Sequence, residues 1–458
     1  MRKNPRRRAA APPPPPPAPR VRPISRDEFA RRRRQLMKTM GRDSIAILPA
    51  APVRLRNNDV EYAYRQDSDF HYLTGFPEPE AVAVFVPGRE QGEYVLFVRE
   101  RDPARETWDG RRAGPEGATR DYGADDAFPI NDIDEILPGL MENRARVFYT
   151  VGVNREFDLR VVSWVNALRA QAKHGRHPPH EMSALEHVLH DMRLFKSKAE
   201  VELMREAARI AARAHVRAMR YARPGLNEYQ VMAEITHEFV AARAETSYLP
   251  IVGGGANGCI LHYRENDCEL KDGELLLIDA GCEYEKYASD ITRTFPINGR
   301  FTPEQRAVYD VVLEANHAAT AKVKPGNHWN EPHEAAVQVL TAGLVKLGLL
   351  KGRVPALVKS GAYRKFYMHR TGHWLGMDVH DVGDYKLGEQ WRVLEPGMVL
   401  TIEPGLYIAP GTKGVPRRFQ GIGIRIEDDV LVTRDGRSVL TADAPKEPGE
   451  IEALMAAA

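Results

Sequence analysis

Two aspartates, Asp279 and Asp290, bracket the stretch of this chain richest in possible chemistry. Asp279 closes an apolar run (Leu275, Leu276, Leu277, Ile278), and Asp290 opens a mixed one containing Ile291, Thr292 and Phe295. A tight turn at their midpoint, between Tyr284 and Glu285, makes the segment a hairpin with the two acids directly opposed. Their Cβ atoms then stand about 4.5–5.5 Å apart. Like charges held that close repel, and burial raises the cost. The remedies are a shared proton or a bound cation. Most paired acids are solvated surface charges, so the choice rests on what accompanies them.

A second stretch repeats the pattern. Gly273 to Gly281 matches Gly397 to Gly405: each has a glycine six residues before an acid (Asp279, Glu403) that is followed by X-Gly. A second acidic strand follows each copy, carrying Asp290 in the first and Glu427, in Gly423 to Asp429, in the second. The pattern reads as a degenerate internal duplication whose facing halves bring four carboxylates together. Between the copies lie His369, His373 and His380. One histidine in apolar surroundings is usually structural, but three beside four inward acids point to a site. No HExxH helix is present. A carboxylate-rich set with an imidazole suits hard or borderline divalent ions better than a structural zinc cage.

The elements that must position these residues follow from periodicity. Ser197 with Glu200 is a capping-box signature. It opens a helix whose stripe is Val201, Met204, Ala208, Ala211 and His215, with His215 read as a packed histidine. Further helices are expected at Glu228–Ala242, Pro303–Val323 and Pro332–Leu347, and a strand at Cys259–His262 after a turn at Gly253-Gly254-Gly255. The first half alternates. It has a helix at Asp27–Met40, strands at Ser44–Leu48, Ala81–Pro87, Tyr94–Arg99 and Arg146–Val151, and helices at Ile133–Met141 and Glu156–Ala172, which suggests an α/β domain. It has no nucleotide fingerprint. The polar segment from Asn57 to Phe70 reads as a loop, or as a device by which Asp59 or Tyr62 reaches a site outside the domain. A breaker-rich connector at Lys173 to His180 and a short helix at Ser183–Leu194 separate the halves.

At 458 residues the chain has room for two or three cores. Its net charge of +2 hides an asymmetry: residues 1–40 hold 13 Lys/Arg against two acids, a net of +11, which leaves −9 for the remainder. The leading arm, residues 1–22, is basic and carries Pro12–Pro17, so it reads as disordered. It lacks the apolar core of a secretory signal. No apolar run approaches the ~18 residues of a membrane span. The three cysteines, Cys259, Cys268 and Cys282, form no CxxC and fit a reducing cytoplasm.

These segments resemble a known family. IDAGCEYEKYASDITRTFP, HRTGHWLGMDVHDVG, TIEPGLYIAPG and GIGIRIEDD are together similar to Xaa-Pro aminopeptidase (aminopeptidase P), one of the "pita-bread" metallopeptidases. NNDVEYAYRQDSDFHYLTGFPEPEAV resembles that family's N-terminal creatinase-like domain. The resemblance implies an α/β (α+β) protein. It has a creatinase-like domain at residues 23–175, a linker with a short helix at 176–196, and a catalytic domain with a pseudo-twofold repeat at 197–458.

The resemblance also implies two divalent metal ions per subunit, usually Mn2+, on Asp279, Asp290, His373, Glu403 and Glu427, with Asp290 and Glu427 bridging. A hydroxide between the metals would attack the carbonyl of the first residue of a peptide whose second residue is proline. Glu403 would shuttle the proton, and His262 and His380 would bind substrate and stabilise the transition state. His369 and Arg425 match site-lining positions. Asp59 and Trp108 match positions that line a neighbouring subunit's site, so a homotetramer (or dimer) is expected, with no nucleic-acid partner. The nearest alternative is an Xaa-Pro dipeptidase (prolidase) with the same metal site but a pocket closed to longer chains. A non-catalytic peptide-binding module is the alternative of another class.

Overall fold

The computed structural model describes residues 21–457. The arm expected to be disordered lies outside the described residues apart from its last two positions.

The first half is built on a mixed six-stranded sheet. Its strand Ser44–Pro49 runs parallel to Arg146–Phe148 and antiparallel to Val82–Phe85, which pairs in turn with Tyr94–Val98. Side chains alternate across a strand, so Ile45 and Ile47 face one layer of helices while Ala46 and Leu48 face another. Ile45, Val84 and Phe97 pack on the helices Ile133–Met141 and Arg155–Ala170. On the other face Leu48 and Phe85 join a core that includes Leu36 and Phe70 and continues into the second half. The α/β expectation holds here. The stretch expected as a linker, residues 176–196, adds the edge strand Glu181–Ser183 to this sheet before the helix Leu185–Leu194 begins.

The polar segment 57–70 is structured rather than a plain loop. Leu55–Asn57 and Val60–Glu61 form an exposed hairpin, and Asp67 caps the helix Ser68–Thr74 through Phe70 N–H at 2.8 Å.

The second half repeats a helix pair followed by a long hairpin. The helix Lys198–Tyr221 begins at the Ser197/Glu200 capping box and packs on Glu228–Ala241. The hairpin strands Leu275–Asp279 and Thr292–Pro296 come next. The helices Pro303–Lys322 and Glu331–Lys346 then precede the second hairpin, Val399–Ile402 with Asp428–Thr433. This is the pseudo-twofold catalytic fold that the duplication predicts. Asn316 pins the third helix to the second hairpin by donating to Ile402 O and Ile426 O, at 3.1 and 3.2 Å.

Three expectations need correcting. No strand forms at Cys259–His262, and the triglycine is not a plain turn. Ile251–Gly254 is the strand, paired with Leu275–Asp279, and Gly255–Cys259 is a short 3-10 turn. A Cβ on Gly253 would sit 3.0 Å from Asn257 backbone, so a glycine eases the doubling back of the chain there. The first hairpin's midpoint is also one residue later than expected. Glu285 and Lys286 both take positive φ (48° and 70°), as a two-residue type I′ turn requires. Asp279 therefore pairs with Thr292, and Asp290 lies diagonal to it instead of directly opposite.

Candidate metal centre and substrate cavity

The one-residue shift of the midpoint moves each partner by two positions, which preserves the face. Asp279 and Asp290 thus still project to the same side. Tyr248 Oη lies 2.5 Å from Asp279 Oδ1 and 2.5 Å from Asp290 Oδ1, a single hydroxyl between two acids. The backbone beside Asp290 closes up on Gly281: a Cβ there would fall 1.8 Å from Ser289 O.

The two hairpins meet edge to edge. Glu427 N–H donates to Thr292 O at 3.0 Å, and Thr292 Oγ1 donates to Glu427 Oε2 at 2.6 Å. Arg425 reaches back across this seam. Its Nε donates to Thr292 Oγ1 at 3.0 Å, its Nη1 to Tyr407 Oη at 3.1 Å, and its Nη2 to Asp279 Oδ2. Asp429 Oδ2 accepts from the backbone N–H of Asp290 at 3.1 Å. The four acids of the duplicated pattern are brought together as expected.

His373 enters from the segment between the copies. Thr401 N–H bonds to its carbonyl at 2.9 Å, and the neighbouring Trp374, fully buried, stacks with Tyr385 and against Trp329. Its Nδ1 faces Trp374 O at 2.9 Å, so Nδ1 carries a hydrogen and Nε2 is turned toward the acids. Nε2 is 3.4 Å from Asp290 Oδ2 and 3.9 Å from Glu403 Oε1. Ligand atoms of Asp290, His373 and Glu427 all lie within 4.8 Å of one another.

Electrostatics match this crowding. Burial, opposed by Arg425, pushes the Asp279 carboxyl up; burial likewise pushes Glu403 up to about 7. Burial and then the Asp290 charge push Glu427 well above the usual carboxylate range. Burial works against protonation of His373, but Asp290 and Glu403 outweigh it and raise the imidazole to about 9. Four oxygen-donor acids and one imidazole, packed where one arginine is the only fixed positive charge among the residues just named, form a donor set that fits divalent cations.

A cavity of about 800 Å³ opens over the cluster, lined by His262, His369, His380 and Arg425 along with Leu249 and Leu261. His380 packs its ring against His373 at a 60° tilt, with centroids 4.2 Å apart. His369 Nε2 accepts from Tyr407 Oη at 2.8 Å, and burial, helped by Arg425, holds its pKa down to about 3, which keeps it neutral. Asp59 and Trp108 do not join them. Asp59 is exposed beside the hairpin turn, and Trp108, in the helix Pro103–Asp109, is 87% exposed. His215 is packed as expected: it is fully buried, with Nε2 donating to Ala280 O at 3.0 Å.

Sequence reasoning missed Tyr248, Thr292, Tyr407 and Asp429. Thr292, Tyr407 and Asp429 lie inside recognised motifs, where alternation along each strand from its acid could have marked them as site-facing. Tyr248 precedes the strand Ile251–Gly254 and belongs to no repeat, so nothing in the sequence signalled it.

Comparison with known proteins agrees with this architecture. Residues 202–434 match the profile of metallopeptidase family M24, and residues 29–149 match that of the aminopeptidase P N-terminal domain. The chain is 49% identical to the Xaa-Pro aminopeptidase of Escherichia coli, over 95% of this chain and 99% of that one. Among solved structures it is similar to the aminopeptidase PepP of Pseudomonas aeruginosa, with TM-score 0.95 and 62% identity over 96% and 99% of the two chains. It also resembles a zinc-substituted Escherichia coli aminopeptidase P in complex with product, with TM-score 0.93 and 49% identity over 95% and 99%.

Proposed function

This chain belongs to metallopeptidase family M24, in its aminopeptidase P branch, and from that membership we infer that it is an Xaa-Pro aminopeptidase. It removes the N-terminal residue from peptides whose second residue is proline. The observation that carries this reading is the convergence of five donor residues, from both copies of the repeat, on one wall of a peptide-sized cavity.

We assign Asp279, Asp290, His373, Glu403 and Glu427 to two divalent cations, with manganese the ion best suited to so oxygen-rich a set. When bound, such ions lower the pKa of water and polarise a carbonyl. The chain's own groups do the rest. Glu403 carries a proton to the proline nitrogen, which departs poorly without one. His262 and His380, on the cavity wall, hold the carbonyl oxygen as charge develops on it. His369, neutral and bonded to Tyr407, lines the same wall, and Arg425 fixes Asp279 and Thr292 in place. Leu249, Leu261 and Val379 offer the proline ring an apolar surface.

Asp59 and Trp108 are assigned to the cavity of a neighbouring subunit, in a homotetramer or dimer; their exposure in the single chain supports this. The domain division is placed at residues 23–175 and 197–458, joined by 176–196. The three free cysteines suit a reducing cytoplasm.

A dipeptidase reading is not favoured, because the similar proteins are aminopeptidases. The test is hydrolysis by the manganese-loaded protein of Ala-Pro-Pro-Ala against Gly-Pro. Release of alanine from the tetrapeptide is expected; cleavage of the dipeptide alone would overturn the assignment.

A further inference from the structure

His380 lies on a short segment, Met377 to Asp381, that the other half of the molecule grips. Arg65 Nη2 donates to Met377 O at 2.7 Å, and Ser68 Oγ donates to Asp378 Oδ1 at 2.6 Å. Arg193, from the helix Leu185–Leu194 between the halves, uses one nitrogen for two aspartates. Its Nη2 is 2.7 Å from Asp378 Oδ2 and 2.6 Å from Asp381 Oδ1. Its Nη1 holds Asp69 Oδ1 at 2.8 Å, on the helix Ser68–Thr74 of the N-terminal half. Lys196 Nζ completes the set on Asp381 Oδ2 at 2.8 Å. The two aspartates so held flank His380 on either side.

The centre of the network is deeply buried, with the Arg193 side chain 3% exposed and those of Lys196 and Asp381 each 1% exposed, while Asp378 at its rim is 36% exposed. Buried ion clusters are poor sources of stability, since the cost of desolvating each charge consumes most of the attraction. What they deliver is a fixed geometry. The segment is also drawn in as closely as a glycine permits. A Cβ on Gly376 would fall 2.1 Å from Asp381 Oδ2 and 2.8 Å from Lys196 Cε.

We propose that Arg193 is a positioning residue for His380: by clamping Asp378 and Asp381 against Asp69, it lets the N-terminal half set the place of a catalytic imidazole in the C-terminal half. The proposal rests on the assignment of His380 made above. It gives the N-terminal domain a part in chemistry within its own chain, separate from any contact with a neighbouring subunit. The His380 ring, packed against His373, moves with the segment that carries it.

The experiment is a double-mutant cycle on the metal-saturated protein, read as kcat and KM on an Xaa-Pro-Xaa peptide with bound metal measured in parallel. Arg193→Met should lower kcat roughly 10–100-fold, the usual consequence of displacing a catalytic group by about 1 Å, with KM and metal content unchanged. Arg193→Lys should recover part of the loss. With His380→Ala already in place, Arg193→Met should cost less than about twofold, because the two act through one group.

An equal loss in both backgrounds would overturn the proposal while leaving His380 catalytic. If His380→Ala alone leaves kcat unchanged, the reading of His380 falls and the proposal falls with it. Should Arg193→Met not fold, Ser68→Ala serves in the same cycle. It removes one bond to Asp378 and strands no buried charge, so a several-fold fall in kcat that vanishes beside His380→Ala is expected. No fall at all would count against the clamp.

Discussion

Tyr248 places one hydroxyl between Asp279 and Asp290, and Arg425 meets Asp279 from the other side. The acids are therefore oriented before any ion arrives. Tyr248→Phe should weaken metal affinity by roughly 10–100-fold, the usual cost of losing an outer partner of a ligand, as measured by metal titration of the apoprotein. Asp290→Ala removes a carboxylate that sits beside His373 and Tyr248 alike, so Xaa-Pro hydrolysis should fall by ~10³ or more at saturating manganese. A variant retaining a tenth of the activity would contradict the ligand assignment. The four acids were legible in sequence because each ends or begins an apolar run and recurs in the duplicated copy, whereas His373, lying between the copies beside two other histidines, was singled out only by the family resemblance. Tyr248 was not, since a residue that meets its partners only through space leaves no periodic trace.

At the scale of elements, the ligand hairpin depends on a turn and a close backbone approach. Glu285 and Lys286 adopt the positive φ of a type I′ turn without a glycine, which hid the register from sequence and displaced the expected midpoint by one. The face survived because strand periodicity is two. Gly281→Ala would force a methyl into Ser289 O, so a loss of about 1–3 kcal/mol in unfolding free energy is expected, together with weaker metal binding. Behind the hairpin, burial holds fully enclosed His215 down to about 4, against the backbone bond to Ala280 that favours its charged form. Its folded pKa lies below the ~6.5 of the unfolded chain, so its stabilisation is complete above that pH. Stability is then lost as pH falls from ~6.5 toward 4, by up to about 3 kcal/mol. Denaturant titrations should show this decline, and His215→Gln, which keeps a donor for Ala280 O but does not titrate, should flatten it.

The whole molecule joins its halves through charged side chains as well as a shared core. Arg65 meets Glu283 at 2.7 Å and Arg193 meets Asp69, both across the boundary that sequence marked only as a breaker-rich connector. Such pairs combine residues far apart in the chain with ordinary surface types, which is why the N-terminal half could be recognised as an α/β domain while its grip on the catalytic segment could not. The exposed Trp108 and Asp59 extend the same logic to assembly. Light scattering should give a tetramer or dimer, and Trp108→Ala should lower kcat/KM; a fully active monomer would contradict that placement. The account as a whole turns on the four acids and one imidazole gathered from the two copies. The most direct test is to titrate the metal-free protein with manganese while measuring bound metal per chain and Xaa-Pro-Xaa hydrolysis together. Activity rising from zero and saturating at two ions per chain is predicted. Full activity without metal, or binding left intact by Asp290→Ala with Glu427→Ala, would contradict the account.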